Sequence, residues 1–135
     1  MTLFLDANVI IYLIEGAREL RERVTEKLDH FRQQGEPTRV AVSRLSWLEC
    51  RVRPLRDQNR KALTAYENFF SEPDLTVVDL TASVVEAAAQ MRAALNFSTP
   101  DALQIACALQ ISGPMQILSN DRRFARIPGI TVVAM

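Results

Sequence analysis

Short apolar stretches that alternate with longer helical segments constrain the fold of this chain most strongly. Four of them have the character of buried strands: residues 3–5, 40–42, 75–78 and 115–118. A fifth stretch, residues 130–134, suits a strand at the edge of a sheet or in a closing position. Strands that alternate with helices favour a parallel sheet that is covered by helices on both faces. The pattern therefore predicts an α/β fold.

The segments between these strands have the periodicity of helices. The predicted helices cover residues 7–15, 17–34, 45–55, 58–70, 81 or 82–95, and 100–111. The last of these is apolar on nearly every side, so we expect it to be buried over most of its surface.

The composition is typical of an ordinary globular protein, and we expect one domain over residues 1–135. Of the 135 residues, 48% are hydrophobic and 24% are charged. The longest purely apolar run, residues 9–14, is too short to span a bilayer, and no basic residue precedes the first apolar stretch as in a secretory signal. Cys50 and Cys107 lack metal-site spacing and are expected to be reduced thiols in the core. These features predict a cytoplasmic protein without a membrane segment.

Two acidic residues directly follow predicted strands. Asp6 interrupts the apolar sequence FLDANVIIYL at the end of the first strand, and Asp121 in SNDRRF follows the fourth. An unpaired carboxylate is costly to bury, so such a residue normally pairs, becomes neutral or binds a metal. Because the carboxyl ends of parallel strands lie at the same edge of a sheet, Asp6 and Asp121 are expected at one functional edge.

Two further acids lie on the apolar sides of predicted helices. At about 100° per residue, Glu49 in RLSWLECRV shares a helix face with Leu45 and Val52. Asp101 in TPDALQIACAL aligns with Ile105 on a helix that has almost no polar face. Helix geometry therefore points both carboxylates inward, toward the edge where the strand acids lie.

Each acid taken alone also has a structural explanation. Asp6 and Asp121 can cap the helices that follow them, and Asp101 can complement a helix dipole from the first turn. Ser46 and Glu49 fit the S-x-x-E capping box. If all four explanations held together, two carboxylates would point unpaired into apolar surroundings. The joint pattern therefore favours a binding site.

Carboxylates that converge at the edge of a sheet suit a hard divalent cation. Mg²⁺ prefers oxygen ligands and often binds together with substrate phosphates, and a pair of such ions stabilises both oxygens of a phosphoryl displacement. The single histidine, His30, lies in a charged helix, which excludes nuclease chemistry based on paired histidines. No G-x-x-x-x-G-K-[ST] phosphate loop is present, and no lysine follows Lys61, which argues against aspartyl-phosphate enzymes.

Four motifs surround the four acids, in this order: LFLDANVII, SRLSWLECRV, TPDALQIACAL and ILSNDRRF. Together they resemble the PIN-domain ribonucleases, in particular VapC-type toxins of toxin–antitoxin pairs, over essentially the whole chain. The resemblance implies a three-layer α/β/α sandwich with a central, mostly parallel sheet. It also implies that a site for Mg²⁺ or Mn²⁺ is formed by the four acids, Asp6, Glu49, Asp101 and Asp121.

The resemblance also implies supporting polar residues beside these acids. Asn8 and Ser119 match the family's supporting positions next to the first and last acids. The family more often has threonine at the position of Ser119, and serine keeps the hydroxyl. Ser43, at the end of the second strand, is a further supporting candidate.

The implied activity is that of a metal-dependent RNA endonuclease. One or two metal ions would activate a water for in-line attack on an RNA phosphodiester, leaving a 5′-phosphate and a 3′-hydroxyl. Asp6 and Asp121 would be direct ligands, Asp101 would share a metal, and Glu49 would act directly or through water. The implied partners are the RNA substrate, a second copy of the chain, and a small antitoxin whose tail would occupy a basic groove or the acidic pocket.

Arginine clusters agree with an RNA partner. Seven basic residues and two acids lie between residues 39 and 61, and three arginines lie between 122 and 126, although clusters of this kind are often only solvated surface. Without the four site acids, 12 acids remain against 16 basic residues, a net charge of +4. Arginine favours bidentate contact with phosphate. The candidate RNA-binding residues are Arg44, Arg51, Arg53, Arg122 and Arg123.

Other functions remain compatible with the sequence. The same fold would serve a housekeeping RNA-processing nuclease, or a catalytically silent PIN-like binding module. Trp47, flanked by Leu45 and Leu48, favours packing in the core or in a dimer over stacking on a base. Transfer, ribosomal and messenger RNA all fit such a pocket, so the sequence does not specify the RNA target.

Overall fold

The computed structural model describes residues 1–34 and 38–135, and within these residues five strands form one sheet. The strands are β1 (Thr2–Leu5), β2 (Arg39–Ser43), β3 (Leu75–Val78), β4 (Met115–Leu118) and β5 (Thr131–Val133). Their order is β3-β2-β1-β4-β5, and every neighbouring pair is parallel. The predicted α/β fold is confirmed. The fifth strand lies at an edge and is shorter than predicted.

Six α-helices and one 3₁₀ helix connect the strands in the described part of the chain. They are α1 (Ala7–Glu15), α2 (Arg18–Arg32), α3 (Arg44–Arg56), α4 (Arg60–Phe70), α5 (Ala82–Leu95), α6 (Thr99–Ala108) and the 3₁₀ helix Arg122–Arg126. Helix α6 ends three residues before its predicted end, because the backbone tightens there: the N–H groups of Gln110 and Ile111 each bond three residues back. A turn through Gly113, which has a φ of 82°, then leads into β4.

The sheet separates two hydrophobic cores. Successive residues of a strand point to opposite faces, so Phe4 packs on one face while Leu3 and Leu5 pack on the other. The Phe4 side is covered by α5, α6 and the 3₁₀ helix, and the Leu3 side by α1 to α4. The layers are therefore helix, sheet and helix. As predicted, α6 is buried along most of its length.

The side of α3 that faces the core differs from the predicted one. Residues spaced one turn apart are buried: Ser46, Cys50 and Pro54. A stripe on another side is largely exposed, and we call it the α3 stripe: Leu48 (57% exposed), Val52 (43%) and Leu55 (51%). The prediction that Glu49 shares a buried face with Val52 was therefore wrong. The small side chain of Cys50 lets α3 approach α1 closely, and its Sγ lies 3.8 Å from the carbonyl oxygen of Ala7. Ser46 instead contacts α6, where its hydroxyl accepts a hydrogen bond from Gln104.

Both cysteines are free thiols and both are buried, as predicted. Burial raises the pKa of Cys107 to about 11, so this thiol stays protonated at neutral pH. In residues 1–34 and 38–135, no helix combines the length and apolar character needed to cross a membrane.

Candidate functional site

The four acids singled out by the sequence line one cleft at the carboxyl-terminal edge of the sheet. The cleft has a volume of about 260 Å³. Asp6 directly follows β1 and Asp121 lies shortly after β4, and these strands are hydrogen-bonded neighbours. Glu49 comes from α3 and Asp101 from the first turn of α6. The other lining residues are Ala7, Asn8, Gln104 and Asn120.

Asp6 has both the capping role and the cleft position that the sequence suggested. Its Oδ1 accepts a hydrogen bond from the backbone N–H of Ala7 (2.8 Å), which caps α1. Its Oδ2 accepts one from the hydroxyl of Ser119 (2.8 Å). The same hydroxyl oxygen accepts the backbone N–H of Asp121 (2.9 Å), so buried Ser119 ties the first acid to the last.

Glu49 is held by a buried polar network between α3 and α6. Gln104 Nε2 donates to Glu49 Oε1 (3.1 Å) and to Ser46 Oγ (2.9 Å). Gln104 Oε1 in turn accepts the hydroxyl of Ser43 (2.7 Å). Ser43 also caps α3 by accepting the backbone N–H of Ser46 (3.1 Å). The helix therefore begins at Arg44, and the capping box that was an alternative explanation for Ser46 and Glu49 is not formed.

Gln104 was not among the residues predicted from the sequence. It is only 3% exposed, although a glutamine side chain is usually solvated. The available signal was its position: it is a polar residue in the otherwise apolar run ALQIACAL, one helical turn after Asp101. A buried amide needs hydrogen-bond partners, and those partners come from a different helix and strand.

Asp101 and Asp121 are both engaged by Arg123. The Nη2 group of Arg123 donates to Asp121 Oδ2 (2.6 Å) and to Asp101 Oδ2 (3.0 Å). Arg123 Nε also lies 3.0 Å from Asp121 Oδ1, and the backbone N–H of Arg123 donates to that same oxygen (3.0 Å). As predicted, Asp121 thereby caps the short helix that follows it.

The electrostatics of the cleft differ from one acid to the next. Burial raises the pKa of Asp6, with a further increase from Asp101 and Asp121, and hydrogen bonds from Ser119 and Ala7 offset part of it. Burial likewise raises the pKa of Glu49, and the hydrogen bond from Gln104 offsets part of that increase. The guanidinium of Arg123 lowers the pKa of Asp121. The cleft therefore concentrates negative charge that is only partly compensated.

The donor chemistry fits a hard divalent cation, although the acids do not form a finished cage. In the described part of the chain, no three His, Cys, Asp or Glu side chains are arranged to hold a metal ion as they stand. Each of the four carboxylates instead accepts hydrogen bonds from protein groups. Oxygen ligands lining one cleft are what Mg²⁺ and Mn²⁺ prefer. A guanidinium already lies against two of them, which shows that a positive charge is stable there.

The five candidate RNA-binding arginines lie in different environments. Arg44 pairs with Asp79 (3.1 Å), and the exposed Arg53 lies 3.8 Å from Asp57. The guanidinium of Arg51 stacks over the ring of Trp47 at 3.9 Å, and its buried Nε has no hydrogen-bond partner among the described residues.

The two remaining candidates are neighbours with different surroundings. Arg122 is exposed on the short helix beside the cleft, and Arg123 pairs with the acids.

Asn8, Asn120 and Trp47 complete the surroundings of the cleft. Asn8 is exposed on the first turn of α1 and lines the cleft. Asn120 also lines the cleft, and its side-chain amide donates to the hydroxyl of Tyr12 (3.4 Å). Trp47 is half-buried and packs edge-on against Phe70, with ring centroids 5.1 Å apart. The packing role predicted for Trp47 agrees with this contact.

Several solved structures have a fold similar to that of this chain. One is VapBC2 from Rickettsia felis bound to a DNA fragment from their promoter, with a TM-score of 0.78, 17% identity, and 99% and 98% of the two chains covered. A second is VapBC-1 from nontypeable Haemophilus influenzae, with a TM-score of 0.75 and 17% identity, and with 99% of this chain and 98% of the other covered. A third is VapBC-5 from Mycobacterium tuberculosis, a member of the VapBC family of toxin–antitoxin systems, with a TM-score of 0.63 and 19% identity, and with 99% of this chain and 98% of the other covered. At these identities the likeness shows the fold alone.

The family follows from the sequence itself. No curated protein matches the chain. The sequence profile of the PIN domain family, however, matches residues 3–130 and so includes all four acids of the cleft. The chain belongs to the PIN domain family.

Proposed function

We propose that this chain is a Mg²⁺- or Mn²⁺-dependent RNA endonuclease that acts as the toxin of a toxin–antitoxin pair, with residues 1–135 forming one nuclease domain. The observation that carries the proposal is the convergence of four carboxylates on one cleft at the carboxyl ends of β1 and β4. Membership of the PIN domain family supports it.

Each acid has a distinct part in the proposed reaction. Asp6, Asp101 and Asp121 would hold the metal, and Glu49 would bind it directly or through a water. Bound Mg²⁺ or Mn²⁺ supplies the activation of a water for in-line attack on the phosphodiester, which leaves a 5′-phosphate and a 3′-hydroxyl. Ser119 supports this arrangement because one hydroxyl fixes the Asp6 carboxylate and the Asp121 backbone together.

In the proposed reaction, neighbouring polar groups position Glu49 and the substrate. Gln104 fixes the Glu49 carboxylate from the protein side, and Ser43 fixes Gln104. Asn8, which is exposed and lines the cleft, would contact the substrate, and exposed Arg122, which follows Asp121 in the chain, would offer a cation for an RNA phosphate. An acidic cleft within a surface of net positive charge suits a polyanionic substrate that meets a bound cation.

Protein partners are part of the proposal. Structural neighbours such as VapBC-5 belong to toxin–antitoxin systems, which supports a small antitoxin as a partner. The α3 stripe exposes three large apolar side chains on one helix, which is typical of a surface that another protein covers. We propose a homodimer that binds the antitoxin.

The test is RNA cleavage by the wild type and by Asp6→Asn in Mg²⁺, in Mn²⁺ and in EDTA. Wild-type protein should cut RNA only with a metal, and its products should carry a 5′-phosphate. Asp6→Asn should lose about 10²-fold or more of the rate, since one charged ligand is replaced by a neutral one. Cleavage that persists in EDTA, or an undiminished rate in Asp6→Asn, would contradict the mechanism.

A matched control separates the site from general charge effects. Asp29→Asn removes the same charge from an exposed position on α2 and should cleave at the wild-type rate. Expression in cells distinguishes a toxin from a housekeeping nuclease. The wild type should arrest growth, Asp6→Asn should not, and a short reading frame next to the gene should encode a protein that restores growth. Normal growth with active wild type would favour the housekeeping role.

A further inference from the structure

Arg123 contacts two of the acids that line the cleft, although the sequence analysis had proposed it as a contact for RNA. Its Nη2 group bridges Asp121 Oδ2 (2.6 Å) and Asp101 Oδ2 (3.0 Å). The arginine side chain is 55% exposed, whereas those of Asp101 and Asp121 are 27% and 24% exposed. The guanidinium therefore reaches from the solvent side onto two acids that are more buried than it is.

The local fold holds this contact in place. Asp121 caps the short helix, and its Oδ1 accepts both the backbone N–H and the Nε group of Arg123. Two side chains only two positions apart are thus fixed against each other by backbone geometry. Asp101 is distant in sequence and joins them because α6 brings its first turn to the same cleft.

A divalent cation and this guanidinium need the same oxygen atoms. A metal ion between Asp101 and Asp121 would take lone pairs that Arg123 now uses, and the two positive charges would repel each other at short range. Pairing of Arg123 with the acids therefore competes with binding of a metal by the same acids.

We propose that Arg123 is a built-in counter-ion of the cleft, which offsets part of the negative charge of Asp101 and Asp121 in the metal-free protein and is displaced when a divalent metal binds. The inference rests on the metal site of the proposed function. It adds that metal affinity is set partly by a competitor within the chain itself. Loading of the metal would then also free a cation at the rim of the cleft.

Arg123 has a second contact besides the acids. The ring of Phe97 lies 6.0 Å from Cζ of Arg123 and 5.9 Å from Cζ of Arg126. A guanidinium at that distance over an aromatic face is weakly attracted to it. Arg123 can therefore leave the acids without losing every favourable contact.

The experiment is calorimetric titration with Mn²⁺ alone, without RNA, on the wild type, Arg123→Ala and Arg122→Ala. Arg123→Ala should bind Mn²⁺ about three- to tenfold more tightly, because two exposed ion pairs no longer have to be broken. Arg122→Ala removes the same charge one residue away and should change the affinity less than twofold. Equal or weaker binding by Arg123→Ala, or an equal gain in Arg122→Ala, would overturn the inference.

Nitrogen NMR gives a second readout that does not depend on affinity. In the metal-free protein, the Nε–H signal of Arg123 should be protected by its bonds to Asp121, and assignment follows from its loss in Arg123→Lys. Titration with diamagnetic Mg²⁺ should shift this signal and increase its exchange with water. A signal that stays unchanged at saturating Mg²⁺ would show that the ion pair survives, which is contrary to the inference.

Asp6→Asn separates failure of this inference from failure of the proposed function. If Asp6→Asn binds Mn²⁺ as the wild type does, the metal site itself is wrong and the inference falls with it. If Asp6→Asn loses Mn²⁺ binding while Arg123→Ala shows no gain, the site stands and only the role of Arg123 is refuted.

Discussion

Replacement of Gln104 by methionine tests the network that holds Glu49. Gln104 is 3% exposed and connects β2, α3 and α6 through hydrogen bonds of 2.7, 2.9 and 3.1 Å to Ser43, Ser46 and Glu49. Methionine has a similar volume, so Gln104→Met removes the polar contacts while it leaves little cavity.

The expected loss of stability follows from these bonds. A buried neutral hydrogen bond contributes about 0.5–1.5 kcal/mol net, and one to a charged group about 1.5–3 kcal/mol. Ser43 keeps its contact with the backbone N–H of Ser46, which reduces the loss. We therefore expect Gln104→Met to lower the free energy of unfolding by about 2–4 kcal/mol.

The loss should also depend on pH in a definite direction. Burial holds the pKa of Glu49 above its ordinary value of 4.5, and the bond from Gln104 opposes that increase. Without the bond the pKa rises further, so the ionised carboxylate is less well supported. A group whose pKa is higher in the folded than in the unfolded state stabilises the protein at pH values below its unfolded-state pKa. This stabilisation is lost as the pH increases through the folded-state pKa. Gln104→Met should therefore lose more stability at pH 7 than at pH 4.

Urea unfolding at both pH values measures these quantities. Gln110→Met is the matched control, since Gln110 is exposed just after α6, and its effect should stay within about 0.5 kcal/mol. A double-mutant cycle with Glu49→Gln should give a coupling of about 0.5–3 kcal/mol. A Gln104→Met protein as stable as the wild type, or equally destabilised at both pH values, would refute the reasoning.

Three further predictions concern the cleft, the core and the surface. Burial raises the pKa of Asp6 above 3.8, which means that the ionised carboxylate destabilises the metal-free folded protein. Asp6→Asn should therefore make the metal-free protein more resistant to urea at pH 7, and this gain should vanish near pH 3. An equal gain at both pH values would contradict the prediction. Tyr66→Phe removes the hydrogen bond from a fully buried hydroxyl to Glu15 and should cost about 1–2 kcal/mol by calorimetry; an unchanged melting temperature would contradict this. Leu48→Glu, in the α3 stripe, should convert a dimer into a monomer by light scattering, whereas Val85→Glu on α5 should not; a monomeric wild type would refute the proposed homodimer.

The main elements of the fold were predictable because strands and helices carry local patterns. Apolar runs and turn residues located all five strands, and the alternation with helices indicated a parallel sheet. Three of the four acids, Asp6, Asp101 and Asp121, were identifiable because each is a charged residue at a strand end or on an apolar helix, where burial without a partner is costly. Glu49 was chosen from a helix face that is exposed at Val52, so that argument did not establish its place in the cleft.

The buried side of α3 was not predictable from hydrophobicity. Ser46 and Cys50 are buried because they are small enough for close helix packing, whereas the larger Leu48 and Val52 stay exposed. Which side of a helix faces inward depends on the shape of its neighbours, and those neighbours come from distant parts of the chain.

The sequence by itself determined which residue types meet at the edge of the sheet, because the ends of parallel strands coincide. Only the tertiary structure decided which side chains compensate those charges. Gln104 supports Glu49 from another helix, and Arg123 pairs with Asp101 across a long separation in sequence. Hydrogen bonds and ion pairs are sensitive to differences of a few tenths of an ångström in the distance between donor and acceptor, which no local pattern encodes.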